Sequence, residues 1–587
     1  MYNKHSFHIP VMGIAFTLDS PIKVARFGID SVISIVEDRI IETMRNHYYP
    51  MVNKTYFPIS DNTDDYRAKR IQDYLNLVNE IVHQQITQLK NSAFEKGSEI
   101  VKYFEMLPNN HTAKKIYNNF VQLKDENEKK KLEKLLREQI TPGSIDVNIM
   151  TKVDKDNFNT KGELLTDQSD AVAALRGYEK SNLEHSAIVF SAGLNPRLYN
   201  YLEQCDSFNI DEQGQFKKRI IIKVSDYRSA LIQGKYLAKK GFWVSEFRIE
   251  SGLNCGGHAF ATDGVLMGPI LEEFKTKKEE LKNSLFELYH KFNTENNRNV
   301  FFGCPDLKIT AQGGIGTFEE DQLLKNYYEI DSTGWGTPFL LVPEATTVDA
   351  HTLNKLACAT AEDIKLSHNS PLGVRFHYLK GTSSYEEKLN RIKDGKPGSP
   401  CPEKHLAMNT EFKGEALCTA SKKYQKLKIA EIESLELNDE DRKNQLSKVL
   451  DKECLCIGLS NAAAINYKKP FIKNNSSVTI CPGPNIVNFS KIVSLDTMVD
   501  HIYGRTNIMM NDQRSHMFIN ELKLYIDYLV EQLLETKNLE EDSKKKRSLL
   551  SYCDNLLSGI EYYKQMQLKG LEKYEKEILK LKELYLQ

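Results

Sequence analysis

The stretch that decides the fold runs from Gly241 to His258 and reads GFWVSEFRIESGLNCGGH. Its first part, up to Ile249, is an apolar run rich in aromatic and β-branched residues, which predicts a buried strand. The run then breaks into a glycine-rich turn that presents His258. Gly256 and Gly257 let the backbone adopt positive φ or approach a ligand closely, and histidine exchanges a proton readily near neutral pH. The turn is therefore a candidate catalytic position, with an ordinary loop as the alternative.

Strand-like runs recur along the first 342 residues, with helical segments between them. Eight strands alternating with helices predict an α/β fold, a (β/α)₈ TIM barrel. An open doubly wound sheet is the alternative, but it usually has fewer strands. The predicted strands are His8–Ala15, Asp30–Val36, Asp146–Met150, Ala187–Ala192, Arg219–Val224, Phe242–Ile249, Leu307–Ala311 and one within Gly334–Val342. The predicted helices include Pro21–Arg26, Arg197–Gln204, Tyr227–Lys239, Leu271–Phe292 and Phe318–Tyr328.

Two regions depart from this alternation. Residues 37–140 are rich in Lys, Glu, Gln, Asn and Leu, with apolar residues at helical spacing, so they predict a helical insertion after the second strand. The barrel domain is then 1–385. Beyond it we expect a largely α-helical extension, made of a cysteine-containing part, 386–510, and an antiparallel helical hairpin, 511–587, built from Ser515–Leu534 and Lys544–Leu586.

Composition and charge indicate which partners to expect. The 587 residues are 40% hydrophobic and 27% charged, with a formal net charge of -1, which is typical of a globular protein with an ample core. Nothing in this balance favours nucleic acid or a membrane surface as a partner. No apolar run approaches the roughly 18–20 residues that cross a bilayer, and no signal peptide is evident at the N-terminus. We therefore expect a cytoplasmic protein that acts on a small molecule, with helical segments available for a homo-oligomer.

Glycines follow the two strands next to the histidine turn. The seventh strand leads into Gly313, Gly314, Ile315 and Gly316, and the eighth carries Gly336 and Thr337. In a (β/α)₈ barrel these residues meet at the carboxyl ends of the strands, where a phosphate site is often found. Free backbone N–H groups and a helix N-terminus bind phosphate without a basic side chain, and we expect Thr317 to cap that helix. The pattern predicts a phosphate-bearing cofactor; simple tight turns are the alternative.

Taken in order, four motifs resemble the nitronate monooxygenases, formerly called 2-nitropropane dioxygenases. They are Asn148, Gly256–His258, Ala311–Gly316 (AQGGIG) and Trp335–Phe339 (WGTPF). Flavin-dependent enoyl-acyl-carrier-protein reductases belong to the same superfamily, and the resemblance covers about Ile9–Leu379. It implies an FMN-dependent oxidoreductase that oxidises a nitronate or nitroalkane with O2 and uses His258 as its base. The alternatives are an enoyl-thioester reductase that uses NAD(P)H and a non-catalytic barrel that serves binding or assembly.

The resemblance also implies which residues contact the cofactor. Gly313, Gly314, Gly336 and Thr337 would hold the FMN phosphate. Asn148 and the segment with Met12 and Gly13 would lie along the flavin, and Gly256 and Trp335 belong to the motifs around it. At the position seven residues before the histidine the family often has a glutamine that contacts the flavin. This chain has Ser251 there, a shorter side chain.

Half of the ten cysteines fall within the first part of the extension. They are Cys401, Cys418, Cys454, Cys456 and Cys481. Cys454 and Cys456 are suited to supply two ligands to one metal, with Cys401 and Cys418 completing a four-thiolate zinc or iron–sulfur site. The alternative is a set of independent thiols, since no Cys-x₂-Cys pair is present. We interpret Cys255, beside the histidine turn, as a packing residue rather than a nucleophile.

Overall fold

The computed structural model describes residues 4–35, 37–150, 154–159, 161–470, 472, 476–510, 514–535 and 544–586. Within them, β1 to β6, β8 and β9 form a closed barrel of parallel strands, in which β1 pairs with both β2 and β9. The predicted (β/α)₈ barrel is confirmed. The strands are β1 (Phe7–Ile9), β2 (Asp30–Ser34), β3 (Ile145–Ile149), β4 (Ser186–Phe190), β5 (Lys218–Val224), β6 (Val244–Glu250), β7 (His258–Ala259), β8 (Lys308–Gln312), β9 (Ser332–Gly334), β10 (Ile364–Ser367) and β11 (Arg375–Leu379).

Helices connect the barrel strands, form the insertion and make up most of the extension. Helices α2 to α6 lie between β2 and β3, as predicted, and α3 packs along α7 on the outside of the barrel. The helices are α1 (Ser20–Val24), α2 (Asp38–Tyr48), α3 (Tyr66–Asn91), α4 (Glu99–Met106), α5 (Thr112–Gln122), α6 (Glu126–Gln139), α7 (Asp170–Glu179), α8 (Pro196–Tyr201), α9 (Tyr227–Ala238), α10 (Met267–Glu295), α11 (Phe318–Asn326), α12 (Ala350–Ala357), α13 (Ser383–Lys393), α14 (Lys422–Ser434), α15 (Asp439–Leu450), α16 (Leu455–Gly458), α17 (Asn461–Asn466), α18 (Leu495–Ile502), α19 (Met517–Glu535), α20 (Lys544–Gln565) and α21 (Glu572–Leu586).

Two barrel strands are shorter than the sequence pattern predicts. Strand β1 ends at Ile9, because Pro10 has no N–H to continue a ladder. Strand β9 ends at Gly334, and Thr337–Leu341 forms a 3-10 helix that has Pro338 in its first turn. The last residue of the predicted second strand, Val36, lies outside the described residues.

The histidine turn leads from the barrel into a second, smaller sheet. Strand β7 pairs antiparallel with β11, and β11 pairs with β10, which gives a small three-stranded sheet that no sequence pattern predicted. The turn is closed where the N–H of Phe260 donates to the carbonyl of Gly252 over 2.9 Å. His258 is therefore held on a strand above the barrel rather than on a free loop.

The extension packs against the barrel as part of one core. Leu455, Ile480 and Leu522 are buried in the same apolar cluster as Ile249 of β6. The predicted helix Lys544–Leu586 is split into α20 and α21, because Gln567 and Gly570 adopt positive φ between them. In the described part of the chain, no helix is long and apolar enough to cross a membrane.

The barrel interior is polar at both ends and apolar in between. A cavity of about 920 Å³ lies at the amino ends of the strands, and a second, of about 410 Å³, lies at their carboxyl ends. Val32, Ala187, Val189 and Ile221 form a small buried cluster with Val11. Ile221 lines the first cavity and Val11 the second, so this cluster separates them.

Candidate functional site

The cavity at the carboxyl ends of the strands is the candidate site, and we call it the mouth cavity. Its volume of about 410 Å³ lies within the range of small-molecule sites, roughly 300–1,000 Å³. A smaller cavity of about 110 Å³, which we call the glycine pocket, adjoins it. The two cavities share a set of lining residues, namely Val11, Gly13, Glu250, Cys255, Gly256, Gly257 and Cys481. Together they can accept an elongated ligand with one small polar end.

The glycine pocket is lined by the four residues predicted to hold a phosphate. Gly313 and Gly314 adopt positive φ, 116° and 78°, directly after β8. Gly336 and Thr337 follow β9 and lie in the same wall. Outside the ladders of the barrel, no acceptor among the described residues pairs with the backbone N–H groups of these four residues. Unpaired N–H groups that converge on a closed space form an anion-binding concavity.

The N-terminus of α11 is not part of this pocket, contrary to expectation. Thr317 caps α11 as predicted, in a capping box with Glu320. The carboxylate of Glu320, however, accepts hydrogen bonds from the N–H groups of Gly316, at 2.8 Å, and Thr317, at 3.3 Å. The helix end is thus satisfied from within the chain, and anion binding depends on the glycine turns before it.

The C-terminal extension holds the glycine pocket in shape. Arg514 donates to the carbonyl of Gly314 over 2.6 Å and pairs with Glu320. Asn485 donates to the carbonyl of Ile315 over 2.9 Å. These contacts occupy the carbonyls of the glycine turn and fix its backbone.

Gly256 fits closely between the barrel and the extension. A Cβ at this position would lie 2.3 Å from the carbonyl oxygen of Cys481, so no other residue fits without a shift of the backbone. The N–H of Gly483 donates to the hydroxyl of Thr337 over 3.0 Å. The segment 481–483 therefore covers the glycine pocket, and the Thr337 side chain anchors this cover while its own N–H faces the pocket.

His258 lines the mouth cavity. It is oriented by Ser370, between β10 and β11, and by Phe376 of β11. We call the small sheet of β7, β10 and β11 the accessory sheet. Its Nε2 lies 2.7 Å from the hydroxyl of Ser370, and its ring meets Phe376 edge-on with the centroids 4.9 Å apart. Phe376 is its register partner across β11. A histidine fixed in this way, and open to a cavity, suits proton transfer to or from a bound ligand.

One amide oxygen in these cavities has no partner in the described chain. The Oδ1 of Asn148, near the end of β3, is buried in the wall of the mouth cavity. A buried polar atom without a hydrogen bond costs free energy, about 1–3 kcal/mol. This oxygen therefore suits a ligand that donates a hydrogen bond. The Gln312 side chain, at the end of β8, interacts instead with His8 of β1.

Met12 and Gly13 lie along the glycine pocket as predicted, but two other predicted contacts are placed differently. Ser251 lines the mouth cavity, but its hydroxyl donates to the carboxylate of Glu521 on α19. Burial raises the pKa of Glu521 to about 7. Trp335 lines neither cavity: it is buried, and its Nε1–H donates to the hydroxyl of Thr333 over 3.2 Å. Trp335 acts in packing, and Ser251 joins the extension to β6.

Charged side chains in the mouth cavity were missed by sequence reasoning. Lys223 of β5 and Glu250 of β6 form an ion pair at 3.1 Å in its wall. Side chains alternate across a strand, so Lys223 points into the barrel with Arg219 and Ile221 of β5, and Glu250 does so with Glu246 and Arg248 of β6. That alternation was the available signal.

A buried histidine from the extension also faces this cavity. His405 lies between Asp170, with Nδ1 3.4 Å from a carboxylate oxygen, and Glu37, at 3.8 Å. Burial opposes its charge, but the two carboxylates dominate and raise the pKa of His405 to about 9. It is therefore an imidazolium at neutral pH. Its partners are distant in sequence, so no local pattern could have identified it.

The arrangement can bind an anion in the glycine pocket, hydrogen-bond a flat polar ring beside it, and move a proton at His258. Lys223 and the protonated His405 supply positive charge in the wall of the same cavity. Comparison with known proteins finds no matching family model and no matching curated protein.

Proposed function

We propose that this protein is an FMN-dependent oxidoreductase that resembles the nitronate monooxygenases. The observation that carries the proposal is the pocket of unpaired N–H groups at Gly313, Gly314 and Gly336, which opens onto the cavity that holds His258. The substrate class is a nitronate or a small nitroalkane, and O2 is the co-substrate. The motifs Gly256–His258 and Ala311–Gly316 support this choice through the family that they resemble.

The residues present fit FMN. The phosphate would be held by the N–H groups of Gly313, Gly314, Gly336 and Thr337. The ring would find a hydrogen-bond acceptor in the unpartnered oxygen of Asn148. When bound, FMN supplies the redox chemistry of the reaction, which amino-acid side chains do not provide.

Lys223 lies in the wall of the mouth cavity, where its ammonium is paired with Glu250. A cation near a bound flavin ring would favour the ring's electron-rich form, so the role of Lys223 would be to tune the cofactor rather than to act on the substrate. Its ion pair with Glu250 also fixes its position.

His258 handles the substrate proton. A general base must lie within hydrogen-bonding reach of the proton that it takes, and His258 is the histidine that β7 places against the mouth cavity. The contact with Ser370 fixes the orientation of the ring, so the imidazole does not have to reorganise during the reaction. His258 takes a proton from the α-carbon of a nitroalkane, whereas a nitronate has already lost this proton and does not need the step.

Apolar side chains exclude water from the same cavity. The wall opposite the polar groups is formed by Phe260, Leu372, Phe376, Leu406, Leu455 and Leu459. Several of these residues belong to the accessory sheet or to the extension, which closes the barrel mouth. Excluding water strengthens the electrostatic interactions of Lys223 and His258 with a bound substrate.

An anaerobic experiment tests this function. The purified full-length chain, loaded with FMN, is mixed with a nitronate in one sample and with NADPH in another, and flavin absorbance is followed. We expect the nitronate to bleach the flavin and admission of O2 to restore it. Bleaching by NADPH alone would contradict the proposal and favour the enoyl-thioester reductase. Bleaching by neither would favour a non-catalytic barrel.

A further inference from the structure

Four cysteines of the extension surround one closed pocket beside the barrel mouth. Cys401, Cys418, Cys454 and Cys456 all line it, together with Pro371, Pro402, Glu403, Lys404, Leu455 and Ile457. The cysteines come from three separate segments of the chain. Cys418 follows Cys401 by 17 residues, and Cys454 follows Cys418 by 36 residues. Independent surface thiols do not converge on one pocket from segments so far apart in sequence.

The loops that carry these cysteines are tied to one another. The N–H of Ser399 donates to the carbonyl of Ala420 over 2.8 Å, and the N–H of Lys422 donates back to Ser399 over 3.1 Å. These bonds hold the segments that carry Cys401 and Cys418 beside each other. Cys454 is the residue that precedes α16, and Cys456 lies in its first turn. The four sulfurs are thus positioned by the backbone and not by flexible side chains.

Backbone N–H groups point at the sulfurs. The N–H of Lys404 donates to Cys401, that of Ala420 to Cys418 and that of Ile457 to Cys454. Two of these donors follow their cysteine by three residues, and the third by two. N–H groups aimed at sulfur stabilise thiolates, and hydrogen bonds of this kind orient and tune the sulfur ligands of metal centres.

Positive charge lies close to the same sulfurs. Lys404 and His405 act on Cys401, and Arg391 acts on Cys454. A centre with four thiolates carries net negative charge, and nearby cations offset it. Glu37 and Glu453 act on Cys456 and Cys454 in the opposite sense, so the surroundings are balanced rather than strongly basic.

The spacing of the sulfurs distinguishes two kinds of centre. A single tetrahedral zinc ion, with Zn–S bonds of about 2.3 Å, needs sulfurs about 3.8 Å apart. Among the described residues, no three of these four sulfurs lie within 4.8 Å of one another. An iron–sulfur cluster holds its four cysteine ligands further apart, at its corners, so the absence of a zinc-like group of sulfurs among the described residues favours the cluster.

We propose that Cys401, Cys418, Cys454 and Cys456 ligate an iron–sulfur cluster. The cluster would join the three segments that carry its ligands and would lie directly beside the candidate active site, because Cys456 also lines the mouth cavity. Binding replaces each S–H proton with a bond to iron, and the protons are released to solvent. The proposal does not depend on FMN binding, since none of the four cysteines belongs to the glycine pocket.

The test is the metal and sulfide content of the full-length chain, produced with added iron and purified without oxygen. We expect about four iron atoms and about four acid-labile sulfides per chain, as for a four-cysteine cubane. The double variant Cys454→Ser/Cys456→Ser should lose both, whereas Cys358→Ser, at an exposed cysteine, should keep them. One zinc ion per chain without sulfide would overturn the cluster and leave a zinc site.

A second measurement covers the case in which the double variant fails to fold. The wild-type protein is treated with an alkylating reagent before and after removal of iron by a chelator, and the modified cysteines are identified by mass. We expect the four thiols to be protected before removal and modified after it. Equal modification in both samples, or no metal at all, would overturn the proposal. Flavin released by acid from the same sample is counted separately, so failure of one proposal is distinguishable from failure of the other.

Discussion

The two ends of the barrel differ in whether their polar groups are satisfied. The cavity at the amino ends is the larger, about 920 Å³ against about 410 Å³. Yet Glu246 there accepts from Arg248 over 2.7 Å and from Thr310 over 2.6 Å, and Asp146 accepts from Ser144 and from the N–H of Ala187. At the carboxyl ends, glycine N–H groups outside the strand ladders and the Oδ1 of Asn148 have no partner in the described chain. Unmet hydrogen-bonding capacity is thus a better guide to a site than volume.

Two buried nitrogens at the amino end lack a well-formed hydrogen bond, namely the Nε2 of His8 and the Nε of Arg219. The His8 side chain interacts with Gln312 of β8. Burial lowers the pKa of His8 to about 3, and Arg248 adds to that effect, so the ring is neutral at physiological pH. Burial also opposes the charge of Glu246, but the charge of Arg248 and the hydrogen bonds from Thr310 and Arg248 outweigh it and hold the pKa of Glu246 at about 2. The amino end is a paired structural network.

The largest expected effect is on catalysis at the carboxyl end. Replacing His258 by Ala should lower turnover of a nitroalkane by about 10²–10⁴-fold, because a positioned base contributes that much, while FMN stays bound. Steady-state kinetics and flavin content check it. The control is His351→Ala, at an exposed histidine on α12, which should change neither. Undiminished turnover in the His258 variant would exclude it as the base.

The complementary change at the amino end should affect stability and not the cofactor. Arg248→Met leaves Glu246 buried without its guanidinium partner, which should lower the free energy of unfolding by about 3–5 kcal/mol. Urea denaturation measures it. The exposed pair Lys54 and Glu80 gives the control, since Lys54→Met should cost less than about 1 kcal/mol. If the Arg248→Met variant is folded but its affinity for FMN changes greatly, the claim that only the carboxyl end serves the cofactor would be contradicted.

At the rim of the mouth cavity, stability should depend on pH through His405. Its pKa is raised to about 9 from 6.5, so its ion pairs contribute fully below pH 6.5 and are lost as pH rises through 9. This rise in pKa corresponds to about 3 kcal/mol in the free energy of unfolding. Urea denaturation from pH 6 to pH 10 should show this loss in the wild type. The variant His405→Gln should show a flatter profile, and an equally steep one would remove His405 as the cause.

The smallest effect concerns one unpartnered oxygen. Asn148→Leu keeps the size of the side chain but removes the buried Oδ1, which should weaken FMN binding about tenfold, by the value of one hydrogen bond. Titration of FMN fluorescence measures this affinity. Asn354→Leu, at an exposed asparagine on α12, is the control and should bind as the wild type does. Unchanged affinity in both variants would show that Asn148 does not contact the ring.

Much of the fold follows from local patterns in the sequence. The alternation of apolar strands and amphipathic helices depends on residues close together in the chain, so the barrel and the helical insertion were predictable. The early ends of β1 and β9 also had a local cause, in Pro10 and Pro338. The accessory sheet was not predictable, because β7 is two residues long and owes its existence to pairing with β11.

The candidate site divides in the same way. Glycines and a histidine that follow strands are recognisable from sequence, and His258 and Gly313 do line the predicted cavities. The groups that complete the site come from far away: Arg514 lies 200 residues from Gly314, whose carbonyl it holds. Such contacts depend on how the extension packs. The inward charges Lys223 and Glu250 were within reach of an argument from strand alternation.

The most direct test of the central claim is the affinity of the purified full-length chain for FMN and for riboflavin, which lacks the phosphate. If the glycine pocket holds the phosphate, the protein should bind one FMN per chain. Riboflavin should then bind at least about 100-fold more weakly, because two or more hydrogen bonds to a charged group are lost, each worth about 1.5–3 kcal/mol. Equal affinity for the two flavins would contradict the pocket. A colourless protein that takes up no added FMN would contradict the whole account.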